Sequence, residues 1–159
     1  MKEQLLTIFA RLDQWIESEA SHPNVLIQVL GQCSLILNST VRLPLAGTMD
    51  LDARVKPQSR QESVYFIQKK LADLLDQEGF ELDPDVHLIW LPPESTFTVC
   101  YETPRMRCEI LDPLFALCSK AVKAREKNRI LIREALKEYG KPLRELIEKH
   151  GGHCDYFEA

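Results

Sequence analysis

The run Asn-Val-Leu-Ile-Gln-Val-Leu at residues 24–30, stopped by Gly31, constrains this chain more than any other stretch. It is short, apolar and rich in β-branched residues, which reads as a strand buried within a sheet. Ahead of it, Leu5, Leu6, Ile8, Phe9, Leu12, Trp15 and Ile16 recur at helical spacing and predict an amphipathic helix over residues 2–19. Behind it, Gln-Cys-Ser-Leu-Ile-Leu-Asn-Ser predicts a short helix. A connector broken by Pro44 and Gly47 then leads to the stretch Gly-Thr-Met-Asp-Leu-Asp-Ala-Arg-Val at residues 47–55.

The rest of the chain continues the alternation. Ser59 and Glu62 form a capping-box pattern ahead of the stripe Val64, Ile67, Leu71, Leu74 and Leu75, with Gly79 at the position of a C-cap. Three strands are expected at residues 86–91, 97–102 and 105–111. Asp112-Pro113 then reads as N-cap and first turn of a helix from Leu114 to about Tyr139, and Gly140 and Pro142 set off a last helix ending near His150. The fold class is therefore mixed α/β, a mixed central sheet flanked by helices. With 159 residues and no repeat or long linker, it forms a single domain over residues 1–150 with a C-terminal tail over 151–159.

Charge is unevenly spread. Residues 1–118 hold ten Lys/Arg against seventeen Asp/Glu, whereas residues 119–150 hold ten against five. An acidic body beside a basic helical region fits a metal-plus-phosphate site, and equally fits ordinary solvated helix faces. No apolar run is long enough to span a membrane and the N-terminus lacks the pattern of a signal peptide, so a cytoplasmic protein is expected. The five cysteines, at 33, 100, 108, 118 and 154, form no CxxC pair and read as reduced, mostly buried thiols. His150, His153, Cys154 and Asp155 lie close together, but on a flexible tail they read as incidental rather than as a zinc site.

The two-aspartate stretch carries the chemistry. In an extended chain Asp50 and Asp52 share a face, while Met49, Leu51, Ala53 and Val55 point to the buried side. Adjacent carboxylates repel unless a cation lies between them, so the pair is either a clamp for a divalent metal or an acidic solvent face.

In order along residues 24–136, three blocks resemble the minimal-type nucleotidyltransferase superfamily, specifically the bacterial nucleotidyltransferase-like proteins of the abortive-infection and toxin–antitoxin kind. They are VLIQVLGQCSLIL, GTMDLDARV (for a Thr-x-Asp-h-Asp-h strand, h apolar) and EILDPLFALCSKAVKAR. The resemblance implies a nucleotidyltransferase-like domain that transfers a nucleotidyl group from an NTP to an acceptor (tRNA, a protein or a small molecule) with Mg²⁺. It implies Asp50 and Asp52 as metal ligands and catalytic residues, Glu109 (Glu102 second) as third acid, and Gly31, Gln32, Thr48 and Lys120 as nucleotide-binding residues. Each has a plainer reading: Gly31 as a turn glycine, Lys120 as a solvated lysine, Glu109 as the partner of Arg105 or Arg107, Asp112 as an N-cap. Gln32 stands where the family has a second small residue and Asn128 where it has an acid. The alternative is thus a catalytically degenerate binding protein of a toxin–antitoxin or defence pair, acting with a protein partner or as a homo-oligomer.

Overall fold

The computed structural model describes residues 1–19, 24–58 and 64–159. The first helix, α1 (Lys2–Ser18), buries Leu5, Ile8, Phe9, Leu12 and Ile16 along one stripe. This is the three-and-four spacing that puts side chains on a single helical face. The strand β1 (Val25–Val29) alternates, with Val25, Ile27 and Val29 buried against the α1 side and Leu26 and Gln28 turned the other way. A seven-residue helix, α2 (Gly31–Leu37), follows directly.

The two-aspartate segment forms two strands rather than one: β2 (Asp50–Leu51) and β3 (Ala53–Pro57), with Asp52 at the break. After α3 (Tyr65–Gln77) comes β4 (Glu81–Leu82), then the hairpin β5 (Phe97–Glu102) and β6 (Met106–Leu111). The main sheet has the order β3-β1-β6-β5. Here β1 runs parallel to β6 and antiparallel to β3, and β5 runs antiparallel to β6. A second, two-stranded sheet pairs β2 with β4 in parallel. The helix α3 buries Ile67, Leu71, Leu74 and Leu75 beside α1, and Gly79 past its end takes φ +80, a left-handed turn that glycine enters without steric cost. The expected capping box, Ser59 with Glu62, lies outside the described residues.

The C-terminal part is helical: α4 (Pro113–Lys123), α5 (Arg129–Tyr139), α6 (Lys141–Lys149) and the short α7 (Asp155–Glu158). Two apolar clusters result. One joins α1, α3 and the inner residues of β1 and β6; the other joins Leu30, Leu35 and Leu111 to α4–α7. Among the described residues, no helix is long and apolar enough to cross a membrane.

Four expectations change. Residues 86–91 are not a strand: Val86–Leu88 form a 3₁₀ turn, and the strand of this region is β4, earlier in the chain. Prolines at 84, 92 and 93 bracket the segment and remove the donors that a ladder needs. The helix expected from Leu114 to Tyr139 is broken between α4 and α5, where Ala124 leaves helical geometry and the buried Asn128 side chain donates to the Ala124 carbonyl at 2.8 Å. Asparagine competes for backbone groups in this way and so favours helix ends. Met49 is 60% exposed, not buried with Leu51 and Ala53. Residues 151–159 are a packed segment, for Cys154 and Phe157 are buried and Arg133 donates to the carbonyls of Phe157 and Ala159.

Candidate functional site

Two short stretches of the same pattern, Asp50-Leu51-Asp52 and Glu81-Leu82-Asp83, lie side by side. Parallel pairing aligns Asp50 with Glu81 and Leu51 with Leu82, and the Asp83 N–H donates to the Leu51 carbonyl at 2.9 Å. One residue further on the chain crosses to the main sheet, where the Leu30 N–H donates to the Asp52 carbonyl at 2.7 Å. With Leu51 and Ala53 buried on one side, the Asp52 side chain emerges on the other. There it shares a hydrogen bond with the Asp83 carboxyl. Burial, the Asp83 hydrogen bond and the Asp83 charge together push the Asp52 carboxyl up from its ordinary value to about 7.

Asp52 lines a cavity of about 420 Å³ between the strand ends and the α4–α5 helices. Gly31 and Leu111 line it from the sheet side, and Leu88–Leu91 together with Ser119, Lys120, Lys123, Lys127 and Asn128 complete the lining. Burial holds the Lys120 ammonium below its ordinary value, and the neighbouring Lys127 charge adds to this, while Asp52 acts in the other direction. Gly31 has φ +58, and a Cβ added there would fall 2.4 Å from Asp52 Oδ2. Only a glycine lets the start of α2 sit this close to the carboxylate.

The other expected site residues are placed as follows. Asp50 is exposed at the start of β2, outside the cavity lining. Thr48 Oγ1 accepts the Asp50 N–H at 3.2 Å, and the Gln32 amide donates to the Ala46 carbonyl at 2.9 Å, so both serve the connector. Glu109 is not brought to the aspartates. It accepts from Gln28 at 3.2 Å and from Arg107 Nε at 3.0 Å, and Arg107 also holds Glu102 at 3.2 Å. The cause is strand order and register: Glu109 lies opposite Gln28, and Gln28 lies opposite Arg54, so the whole of β1 stands between Glu109 and the strand that Asp52 precedes. Asp112 is the N-cap residue of α4, but its carboxylate accepts the hydroxyls of Thr96 and Thr98.

Cys33 Sγ donates to the Asp50 carbonyl at 3.4 Å, and burial with the nearby Asp52 charge pushes its thiol up to about 12. Such a thiol is inert at neutral pH. His150 pairs with Glu94 at 2.6 Å, and Cys154 is buried against the Arg144 carbonyl. Among the described residues, no group of three or more His, Cys, Asp or Glu side chains is gathered to hold a metal.

Lys123 and Lys127 on the cavity lining, and Asp83 behind Asp52, are the residues that sequence reasoning does not single out. The signal for Asp83 was present: Glu-Leu-Asp at 81–83 repeats the acid-Leu-Asp pattern of 50–52 just after a helix and its Gly79 stop. No family model, curated protein or solved structure matches the chain.

Proposed function

We propose that the cavity binds a nucleoside triphosphate with a divalent cation and transfers its nucleotidyl group to an acceptor hydroxyl, in a nucleotidyltransferase-like domain. One observation carries the reading: Asp52, hydrogen-bonded to the neighbouring Asp83 carboxyl, lines the same cavity as Lys120, Lys123 and Lys127. Two acids in contact are the donor set that a hard cation relieves, and Mg²⁺ typically takes one or two carboxylates and leaves its other positions to phosphate and water. The residues therefore fit such an ion, with Asp83 in the place expected of Glu109. Bound there, Mg²⁺ would neutralise charge on the phosphates and lower the pKa of an attacking hydroxyl.

The chain's own groups divide the remaining work. Lys120, partly withdrawn from water and on the cavity lining, would supply positive charge to the departing pyrophosphate. Gly31 keeps Asp52 open to the cavity. The degenerate binding module is supported by one feature, the lack of a third acid gathered with Asp52 and Asp83 among the described residues.

The test is titration of the four NTPs with and without Mg²⁺, followed by label transfer from an α-labelled NTP to candidate acceptors, self-labelling included. Mg²⁺-dependent binding and transfer support the enzyme. Binding without transfer selects the binding module, and absence of any NTP binding removes the nucleotide reading.

A further inference from the structure

The charged groups account for only part of the cavity. Beside the lysines runs Leu88-Ile89-Trp90-Leu91, an apolar strip of the lining that neither a metal ion nor a phosphate chain requires. Leu88 is 72% exposed at this lip, an unusual setting for a leucine beside charged groups. Trp90 is fixed from three directions. Its carbonyl accepts the Ser119 hydroxyl at 2.5 Å, its ring stands edge-on to His150 with centroids 5.4 Å apart, and Lys123 Nζ lies 5.5 Å from its centroid. His150 is itself held by Glu94 at 2.6 Å, and Glu94 by Lys149 at 2.6 Å. The Trp90 backbone is thus held by Ser119 and its ring by His150 and Lys123, and Lys123 joins the indole to the cationic groups.

A ligand that suits both parts of the lining has a polyanionic end and a flat apolar end. We infer that Trp90 and Leu88 form a nucleobase shelf, and that the cavity selects purine nucleoside triphosphates by stacking the base on this strip while the phosphates lie along Lys120, Lys123 and Lys127. The inference rests on the nucleotide reading above and adds the base subsite to it. Purines present the larger π surface, and stacking on an aromatic side chain is sequence-tolerant but favours area. Asn128 lines the same cavity with its amide orientation set by the bond to Ala124, which leaves its carbonyl oxygen as an acceptor near the shelf.

The experiment uses the full chain and two probes, ATP and inorganic tripolyphosphate, each with Mg²⁺. Both should bind and compete, because they share the lysines, and ATP and GTP should bind more tightly than CTP and UTP. Trp90→Leu should weaken ATP about tenfold and leave tripolyphosphate unchanged, with Trp90→Phe intermediate because a smaller ring remains. Since the chain has two tryptophans, Trp15→Phe leaves Trp90 as the sole indole, and its fluorescence should be quenched by ATP far more than by tripolyphosphate. If tripolyphosphate binds as tightly as ATP, or if Trp90→Leu weakens both alike, the shelf is wrong and the phosphate site stands. If no NTP and no tripolyphosphate binds, the nucleotide reading falls and the shelf with it. Should Trp90→Leu fail to fold, the Trp90→Phe affinities and the single-tryptophan quenching decide the matter.

Discussion

The corner around Asp13 and the cleft around Asp52 each withdraw an aspartate from water, and they treat it in opposite ways. Asp13, on the buried stripe of α1, is 4% exposed and saturated with donors. Tyr101 donates at 3.1 Å, Thr103 at 2.9 Å and Arg105 at 3.1 and 3.4 Å, all from the β5–β6 hairpin. Arg105 also reaches Glu17 at 3.5 Å. That carboxylate fastens a helix to a hairpin, and nothing about it asks for a further partner. Asp52 has instead a second acid as its hydrogen-bond partner, and Lys120 acts on it through charge alone. A fold that needed only structure from Asp52 would have supplied it as it supplied Asp13. The difference separates a carboxylate used for stability from one left deficient in positive charge, as a ligand site requires.

The largest effect tests that division directly. Asp52→Asn or Asp83→Asn should reduce nucleotidyl transfer about 10³-fold, roughly 4 kcal/mol of lost transition-state stabilisation, since the hard-cation donors are gone. Stability to urea should hold or rise, because one of two adjoining acids is neutralised. If Asp52→Asn unfolds the protein, Asp52 is a second Asp13 and the contrast disappears.

The complementary change is Asp13→Ala. It strands the Arg105 guanidinium and the Tyr101 and Thr103 hydroxyls against α1, and should cost about 3 kcal/mol in urea unfolding. Transfer per folded molecule and NTP affinity should stay at the wild-type level. A loss of NTP affinity in folded Asp13→Ala protein would show the two regions to be coupled.

Next in size is Gly31→Ala. The new methyl would lie 2.4 Å from Asp52 Oδ2, at a residue whose φ of +58 disfavours any side chain. We expect about 1–2 kcal/mol of destabilisation, together with weaker Mg²⁺-dependent NTP binding as Asp52 is displaced. If affinity is unchanged, Gly31 is a turn glycine and no more.

What could be read from the chain follows from the range of the forces involved. The stripes of α1 and α3, the apolar strand β1 and the hairpin strands β5 and β6 are set by local periodicity, and they fall where that periodicity puts them. Asp52 and Lys120, each read from a resemblance, line one cavity. The position of Glu109 depends on strand order, which no local pattern encodes: β1 lies between β3 and β6. Asp83 carries little local signal because β4 has two residues, too few to give an alternation, while the neighbouring run 86–91 is apolar enough to mimic a strand. The break between α4 and α5 turns on one side-chain hydrogen bond, from Asn128 to the Ala124 carbonyl, against a continuous helical pattern.

The smallest effect is a pH dependence carried by Asp52. Burial first, then the Asp83 hydrogen bond, raises Asp52 from 3.8 to about 7 in the folded protein. Between those values the native state keeps a proton that the unfolded chain has released, so this component of stability is complete below about pH 4 and is lost as pH rises toward 7. The nominal shift is reduced by water at the cavity mouth, leaving a loss of roughly 1 kcal/mol. Because other groups titrate over the same range, the measured quantity is the difference between wild type and Asp52→Asn in urea unfolding at each pH. That difference should slope downward from pH 4 to 7 and flatten above it. Saturating Mg²⁺ should abolish the slope, since a cation stabilises the ionised pair and so removes the reason for the retained proton. A slope that persists with Mg²⁺ would mean that the Asp52–Asp83 contact is held for its own sake, and the cleft would then be an interior like that around Asp13.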